Sequence, residues 1–300
     1  MPLAVFPKCF LDQLVVDRSM TPEEWIDLAT TLDVDGLEFF SGFTPFEDSV
    51  RMARLRKRAD DQGFAIPMMC HSPDFTQPDA ATRHREIERQ RTAIRGCAEL
   101  GGHYCRVLSG QRRPGVDLHE GISWAAECIQ TCLPYAAEFR VTLILENHYK
   151  DGLWEYPEFA QKQEVFLALL DAIGEHRNFG VNFDPSNAVV AGEDPLELLS
   201  IVKHRVATMH ASDRWLEDGS TLADLKKHEE NPTSGYAPFL HHGIIGQGLN
   251  DYDQIFSTLF HAGFSGWISI EDGQDPVTGM DHLRQSAEFL RRKMKEHHLP

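Results

Sequence analysis

Short apolar runs and longer amphipathic stretches alternate from one end of this chain to the other. Runs with strand character occupy 3–6, 36–40, 65–71, 103–109, 141–147, 179–184, 205–211 and 267–272. Between them, apolar residues recur at helical spacing near 22–31, 47–62, 82–100, 118–139, 159–174, 194–203 and 251–262, with a last stretch at 280–297. A strand followed by a helix, eight times over, predicts an α/β fold, a single (β/α)₈ barrel spanning 1–300. The punctuation agrees. Thr21-Pro22-Glu23-Glu24 offers an N-cap, a proline at the first helical position and acids for the helix dipole, and Asp194-Pro195 repeats the device. Gly63, Gly101, Gly174 and Gly263 each fall just past a helical stretch, where a C′ glycine belongs.

The segment 212–250 departs from the alternation. It is rich in Gly, Asp, His and Pro and far longer than an ordinary βα loop, so it is expected to extend over the active-site face after strand 7. Within it, His241-His242-Gly243-Ile244-Ile245-Gly246-Gln247-Gly248 predicts either an anion contact at the following helix or, more simply, the turn that closes the extension.

Candidate chemistry sits at the ends of four strands. Leu143-Ile144-Leu145-Glu146, Gly180-Val181-Asn182-Phe183-Asp184, Val206-Ala207-Thr208-Met209-His210 and Trp267-Ile268-Ser269-Ile270-Glu271 each run into a side chain able to bind a divalent cation. Counting back by two from Glu146 gives Ile144 and Thr142, against Leu145, Leu143 and Val141 on the other face. Glu271 shares its face with Ser269 and Trp267, His210 with Thr208 and Val206, Asp184 with Asn182. The ligand face is the more polar or mixed one each time, so all four are expected to point to the barrel axis at the end where active sites are built. Carboxylates plus one imidazole suit Mn²⁺ best, with Mg²⁺, Co²⁺ or Zn²⁺ as alternatives. Two positions of a six-coordinate ion would stay open for a hydroxy-ketone, whose acidified proton Glu146 and Glu271 could move from different sides.

Composition removes other classes. The 46 acidic against 29 basic residues leave a formal charge of −17, which repels nucleic acid and anionic lipid. No apolar stretch reaches the roughly 20 residues of a membrane helix. Met1–Lys8 lacks the features of a signal segment. Six scattered cysteines without a Cys-x-x-Cys pair predict reduced thiols in a cytoplasmic protein.

Glu146-Asn147-His148, Phe183-Asp184-Pro185-Ser186-Asn187, Met209-His210-Ala211-Ser212-Asp213 and Ile270-Glu271-Asp272 resemble the sugar isomerase/epimerase group of xylose-isomerase-like TIM barrels, in order and spacing over nearly the whole chain. That resemblance implies that Glu146, Asp184, His210 and Glu271 bind one divalent ion and that Glu146 and Glu271 are the acid/base pair. It also places His71 toward the substrate, and Asp213 and Arg214 toward the substrate or a second cation. Many members carry a histidine three residues after the strand-6 aspartate; here the residue is Asn187, which can hydrogen-bond a hydroxyl but argues against a trinuclear zinc site. Relatives are often dimers or tetramers, so a homo-oligomer is expected.

The remaining candidates come from position alone. Glu38 faces the axis if Leu37 and Phe39 face helices, where it could bind substrate hydroxyls or pair with a buried cation such as Arg106. His148 and Lys150 follow strand 5 and could line the mouth; Asn147 and Asn182 could orient ligands. Tyr149, Trp154 and Trp215 could form an apolar wall, although lone loop aromatics are more often packing. The expected function is a metal-dependent isomerase or epimerase of a sugar or keto-sugar. A lyase or dehydratase on a keto-sugar or inosose is the alternative, and a non-catalytic sugar-binding barrel the third reading.

Overall fold

A computed structural model describes residues 1–229, 236–273 and 275–299. The first strand, β1, is Leu3–Val5; β2 (Gly36–Leu37) and β3 (Phe39–Phe40) are two pieces of the second barrel strand, interrupted at Glu38. Then come β4 (Met68–Cys70), β5 (Tyr104–Val107), β6 (Thr142–Glu146), β7 (Phe179–Phe183), β8 (Val206–Ala211) and, after an antiparallel hairpin β9 (Arg214–Leu216) and β10 (Leu240–His242), β11 (Trp267–Ile270). The large sheet is parallel throughout, in the order β2-β1-β11-β8-β7-β6-β5-β4-β3. Because β2 and β3 belong to one strand, the two ends of that order meet and the sheet closes into a barrel.

Helices α1 (Pro22–Ala29), α2 (Ser49–Asp61), α3 (Ala80–Glu99), α4 (Leu118–Glu138), α5 (Gln163–Ile173), α6 (Pro185–Val190), α7 (Pro195–Val202), α8 (Leu222–His228), α9 (Tyr252–His261) and α10 (Gly279–Glu296) complete the described elements. The caps form as the sequence predicts. Thr21 and Glu24 make a capping box on α1, and the Asp194 side chain accepts from the Leu196 amide at α7. Gly63 and Gly263 end their helices at φ 82° and 74°, a conformation a Cβ resists.

Strand alternation sorts the side chains into two layers. Leu143, Leu145, Val181, Phe183, Met209, Ala211, Ile268 and Ile270 join the core between sheet and helices. Burying a side chain of that size contributes about 1.5–3 kcal/mol, which drives the barrel into one register. The opposite positions face the axis and mix polar with apolar side chains: Ile144 stands beside Thr142 and Glu146, and the Thr208 hydroxyl donates to Asn182 Oδ1 at 2.8 Å.

Four differences from the sequence pattern have local causes. α5 begins at Gln163 rather than 159, because Glu158 is drawn into a bridge with Gln111 and the Phe159 amide donates to Gly110. Helical turns at Lys8–Phe10 and Asp12–Val16 follow β1. α6 starts directly on Asp184, whose carboxylate caps it. The 212–250 extension holds β9, α8 and β10; its residues 230–235 lie outside those described.

Candidate metal centre

The barrel brings Glu146, Asp184, His210 and Glu271 together. One donor atom from each lies within 4.8 Å of all the others, and all four residues are buried. Glu146 ends β6, Asp184 follows β7 as the N-cap of α6, His210 lies in β8, and Glu271 follows β11. His210 Nδ1 is 3.0 Å from Glu146 Oε1 and 3.5 Å from Glu271 Oε2. Asp184 Oδ1 accepts from the Ser212 hydroxyl at 2.7 Å and the Asn187 amide at 3.0 Å. Asn147 makes a two-way bridge to the Asp184 backbone, at 2.6 and 2.9 Å, which ties the ends of β6 and β7.

Electrostatics set the four apart from ordinary surface acids. Burial, then the neighbouring Glu271 and Glu146, raises the Asp184 carboxyl to about 6. Burial pushes Glu146 up as well, but His210 and Arg106 outweigh it and hold it well below the usual range. Glu271 is lowered because Lys8 and His210 outweigh its burial. Burial pulls the His210 imidazole down, yet Glu38, Glu146 and Glu271 reverse this and raise it well above an ordinary histidine. Three buried carboxylates around one imidazole are costly without added positive charge. Oxygen donors with a single nitrogen are also the set that hard and borderline divalent ions take. The residues fit a divalent cation.

Above the cluster is a cavity of about 310 Å³. Glu271, Arg106, His148, Asn187 and Lys8 form its polar wall, and Phe6, Leu11, Val15, Val16 and Leu153 its apolar one. Asn187 Nδ2 donates to Glu146 Oε1 at 3.3 Å, and His148 is held by the buried Glu158 carboxylate at 3.1 Å. Lys150 also reaches the cavity wall. The extension contributes Tyr236 among the described residues.

Four positions expected toward the substrate take other places. Glu38 is fully buried against His210 Nε2, at 3.0 and 3.1 Å, and pairs with neither cavity nor Arg106. His71 bonds Ser41 through Nδ1 at 2.8 Å and is absent from the described cavity wall; burial lowers its pKa to about 3. Asp213 is spent on backbone amides: Arg214, Gly246, Gly248 and Asn250 all donate to its carboxylate, at 2.9 to 3.1 Å. The glycine-rich stretch therefore does bind an anion, and the anion is the chain's own. A Cβ at Gly248 would run into that carboxylate and the Arg214 carbonyl. Arg214 is buried beside the Tyr236 ring and is likewise not in the described wall. The aromatics mostly pack: Tyr149 lies against Tyr236 and Trp154 against His148, while Trp215 covers His241.

Two residues near the cluster were missed. Arg106 donates to Glu146 Oε2 at 2.8 Å, to the Ser72 hydroxyl at 2.9 Å and to the His71 carbonyl at 3.3 Å. Parity could have found it, since Arg106 shares an inward face with Tyr104 while Cys105 and Val107 join the outer core. Lys8 Nζ stands 3.6 Å from Glu271 Oε2, and its loop carries no periodic signal.

A family model described as xylose isomerase-like TIM barrel matches residues 26–293. The chain belongs to this family. Among curated relatives, an inosose dehydratase of Bacillus thuringiensis (strain Al Hakam) is 27% identical over 116 residues, 37% of either chain. One from Clostridium botulinum (strain Alaska E43 / Type E3) is 24% identical over 163 residues, 53% of this chain and 50% of that one. These alignments cover half or less of the relatives' own length.

Solved structures of similar fold include a D-tagatose 3-epimerase-like protein (TM-score 0.74, 17% identity, 99% of this chain and 98% of that). An IolI protein with a bound zinc atom has a TM-score of 0.74 at 15% identity, over 99% of both chains. A probable 3-DHS dehydratase, AsbF, of Bacillus anthracis has a TM-score of 0.72 at 16% identity, over 97% of this chain and 99% of that. At these identities the likeness is one of fold, shared by an epimerase-like protein and a probable dehydratase.

Proposed function

We propose that this chain is a divalent-metal-dependent enzyme that removes a proton beside the carbonyl of a polyhydroxylated ketone and returns it, as an isomerase or epimerase. The observation that carries this reading is the meeting of two glutamates with Asp184 and His210 beneath a cavity with one polar and one apolar wall. Glu146, Asp184, His210 and Glu271 would hold the ion, with Mn²⁺ first on donor chemistry and Zn²⁺ the rival suggested by the IolI structure. When bound, the ion supplies polarisation of the substrate carbonyl, which acidifies the neighbouring C–H.

The chain's own groups do the rest. Glu271, which reaches the cavity, takes the proton; Lys8 at 3.6 Å keeps it ionised and ready to accept. Glu146, held ionised by Arg106, is the second base of an epimerase. Asn187 and His148 donate to hydroxyls, and Phe6, Leu11 and Val15 exclude water from one flank. No described helix is long and apolar enough to cross a membrane. Six buried free cysteines support a reducing, cytoplasmic setting, and we read the protein as a homo-oligomer of single barrel domains.

A second reading, elimination of water from a keto-sugar or inosose, is favoured by one specific asymmetry. Glu271 lines the cavity, whereas Glu146 is fully buried and clamped by Arg106. A site with one free base suits removal of a proton on one face and departure of a β-hydroxyl, and the inosose dehydratase relatives point the same way. Incubating the Mn²⁺-loaded protein with ketoses and inososes in D₂O separates the two. Isomerisation or epimerisation leaves deuterium in a recovered ketose; elimination gives an unsaturated ketone. Undiminished turnover after exhaustive chelation would sink both.

A further inference from the structure

We propose that Glu38 is the positioning residue of this centre: by accepting the Nε2 proton of His210 it turns Nδ1 toward the cation. This rests on the metal reading above and adds to it a residue on the opposite side of the imidazole.

The placement begins in the backbone. The second barrel strand breaks into β2 and β3 at Glu38, yet the Glu38 amide still donates to the Val5 carbonyl at 2.9 Å, so the chain stays in the barrel wall. Leu37 and Phe39 go outward into the core under the helices. Strand alternation therefore sends Glu38 to the axis. There both carboxylate oxygens meet His210 Nε2, at 3.0 and 3.1 Å, and Cys70 Sγ donates to Oε1 at 2.6 Å. Glu38, Cys70 and His210 are all fully buried.

A neutral imidazole has one proton and one lone pair. Both ring nitrogens face carboxylates, Nδ1 that of Glu146 and Nε2 that of Glu38. Glu146 is itself a ligand whose oxygen would turn to the cation, while Glu38 lies away from it and only accepts, so Nε2 is the nitrogen that keeps its proton. The other nitrogen, Nδ1, offers its lone pair and faces Glu146 and Glu271, the cation side. Cys70 fixes the carboxylate from a second direction, which keeps the ring from turning over. Carboxylate–histidine–metal arrangements of this kind orient the ring and raise its basicity as a ligand. A rival use of the same atoms exists. Glu38, Cys70 and His210 also place one donor each within 4.8 Å of one another, and a thiolate-seeking ion held there would take Nε2 instead.

The test is metal binding by the full chain, stripped with chelator and titrated with Co²⁺ in a calorimeter, for the wild type, Glu38→Gln and Glu38→Leu. Glu38→Leu is expected to lose about 10–100-fold in affinity. Glu38→Gln, which keeps an acceptor oxygen, is expected to fall between it and the wild type. Wild-type affinity in a folded Glu38→Leu overturns the proposal and leaves the metal reading standing. A wild type that binds no Co²⁺ overturns both. The Co²⁺ spectrum should show no thiolate-to-metal charge-transfer band; such a band, lost in Cys70→Ala, assigns the ion to the rival group and overturns the proposal. Should Glu38→Leu not fold, imidazole ¹⁵N shifts of the Zn²⁺-loaded wild type decide the matter. A proton on Nε2 supports the assignment, and a proton on Nδ1 refutes it.

Discussion

Two groups of buried acids sit at the same end of this barrel and are satisfied in opposite ways. Asp213 has four backbone amides converging on its carboxylate, and the loop 246–250 is folded around it. Glu146, Asp184 and Glu271 instead converge on one another and on His210. Donors that come from the backbone make an acid part of the architecture. Acids that share one small volume make a demand for positive charge that the fold meets only in part, through Arg106, Lys8 and His210. The first arrangement stabilises the chain by itself; the second is stabilised from outside.

The sharpest way to break this comparison is to remove one charge from each group. Glu271→Gln is expected to cut kcat by about 10³-fold, within the range of a lost general base, while the melting temperature in chelator changes little, because the pairings lost with Lys8 and His210 are offset by the repulsion relieved at Glu146 and Asp184. Steady-state kinetics on the metal-loaded protein and calorimetry in chelator check the two halves. A Glu271→Gln protein that melts well below the wild type would place Glu271 among the architectural acids.

Asp213→Ala should behave in the reverse manner. It strands buried amides, each worth about 1–3 kcal/mol when unpaired, so a net loss of about 3 kcal/mol is expected after water replaces some partners. Urea unfolding measures it. A variant as stable as the wild type would mean that the four amides find equal partners without the carboxylate.

Both groups have the same signature in the sequence, an acid just past a strand, and that is where sequence reading stops. The fold was legible because Leu143, Leu145, Val181, Phe183, Ile268 and Ile270 alternate with their inward neighbours, and alternation is a local property of the strand. The meeting of Glu146, Asp184, His210 and Glu271 at one end of the axis was legible for the same reason. Three of the four partners of Asp213 were not, since they are main-chain groups 33 to 37 residues downstream whose direction depends on a loop. Glu38 was placed on the axis correctly, but its partner His210 is 172 residues away across the barrel, a pairing that no periodicity encodes. Lys8 follows a strand of three residues and opens a single helical turn, too short for any periodicity to mark it. Arg106 lay on a predictable face and was overlooked as a site residue because a buried arginine reads as a partner for some other group.

The smallest expected effect is also the most specific to the second group. Burial and the neighbouring carboxylates raise Asp184 to about 6, above the roughly 3.9 of an unfolded aspartate. Between those two values the folded chain holds more protons at this site than the unfolded one, so stability falls as pH rises through the window and levels off above it. His210, raised above its ordinary value, gives stability at low pH that is lost as pH climbs through its own higher pKa, the same sign further up. Glu146 and Glu271 are lowered, so their contribution has the opposite sign, but it is lost only as pH falls below about 4.3. Across pH 4.5 to 6 Asp272, raised to about 7 by burial, adds a slope of the same sign, and His71, lowered to about 3 by burial, one of the opposite sign, so the share of Asp184 is read as the difference between the wild type and Asp184→Asn. In chelator, the urea midpoint of the wild type should fall more steeply across that interval than the variant's; with saturating Mn²⁺ the wild type should lose this share, because the ion occupies the place of the proton. If the two chelated curves run parallel, the excess charge of the cluster lies elsewhere, and Asp184 belongs with Asp213 among the acids that only hold the fold.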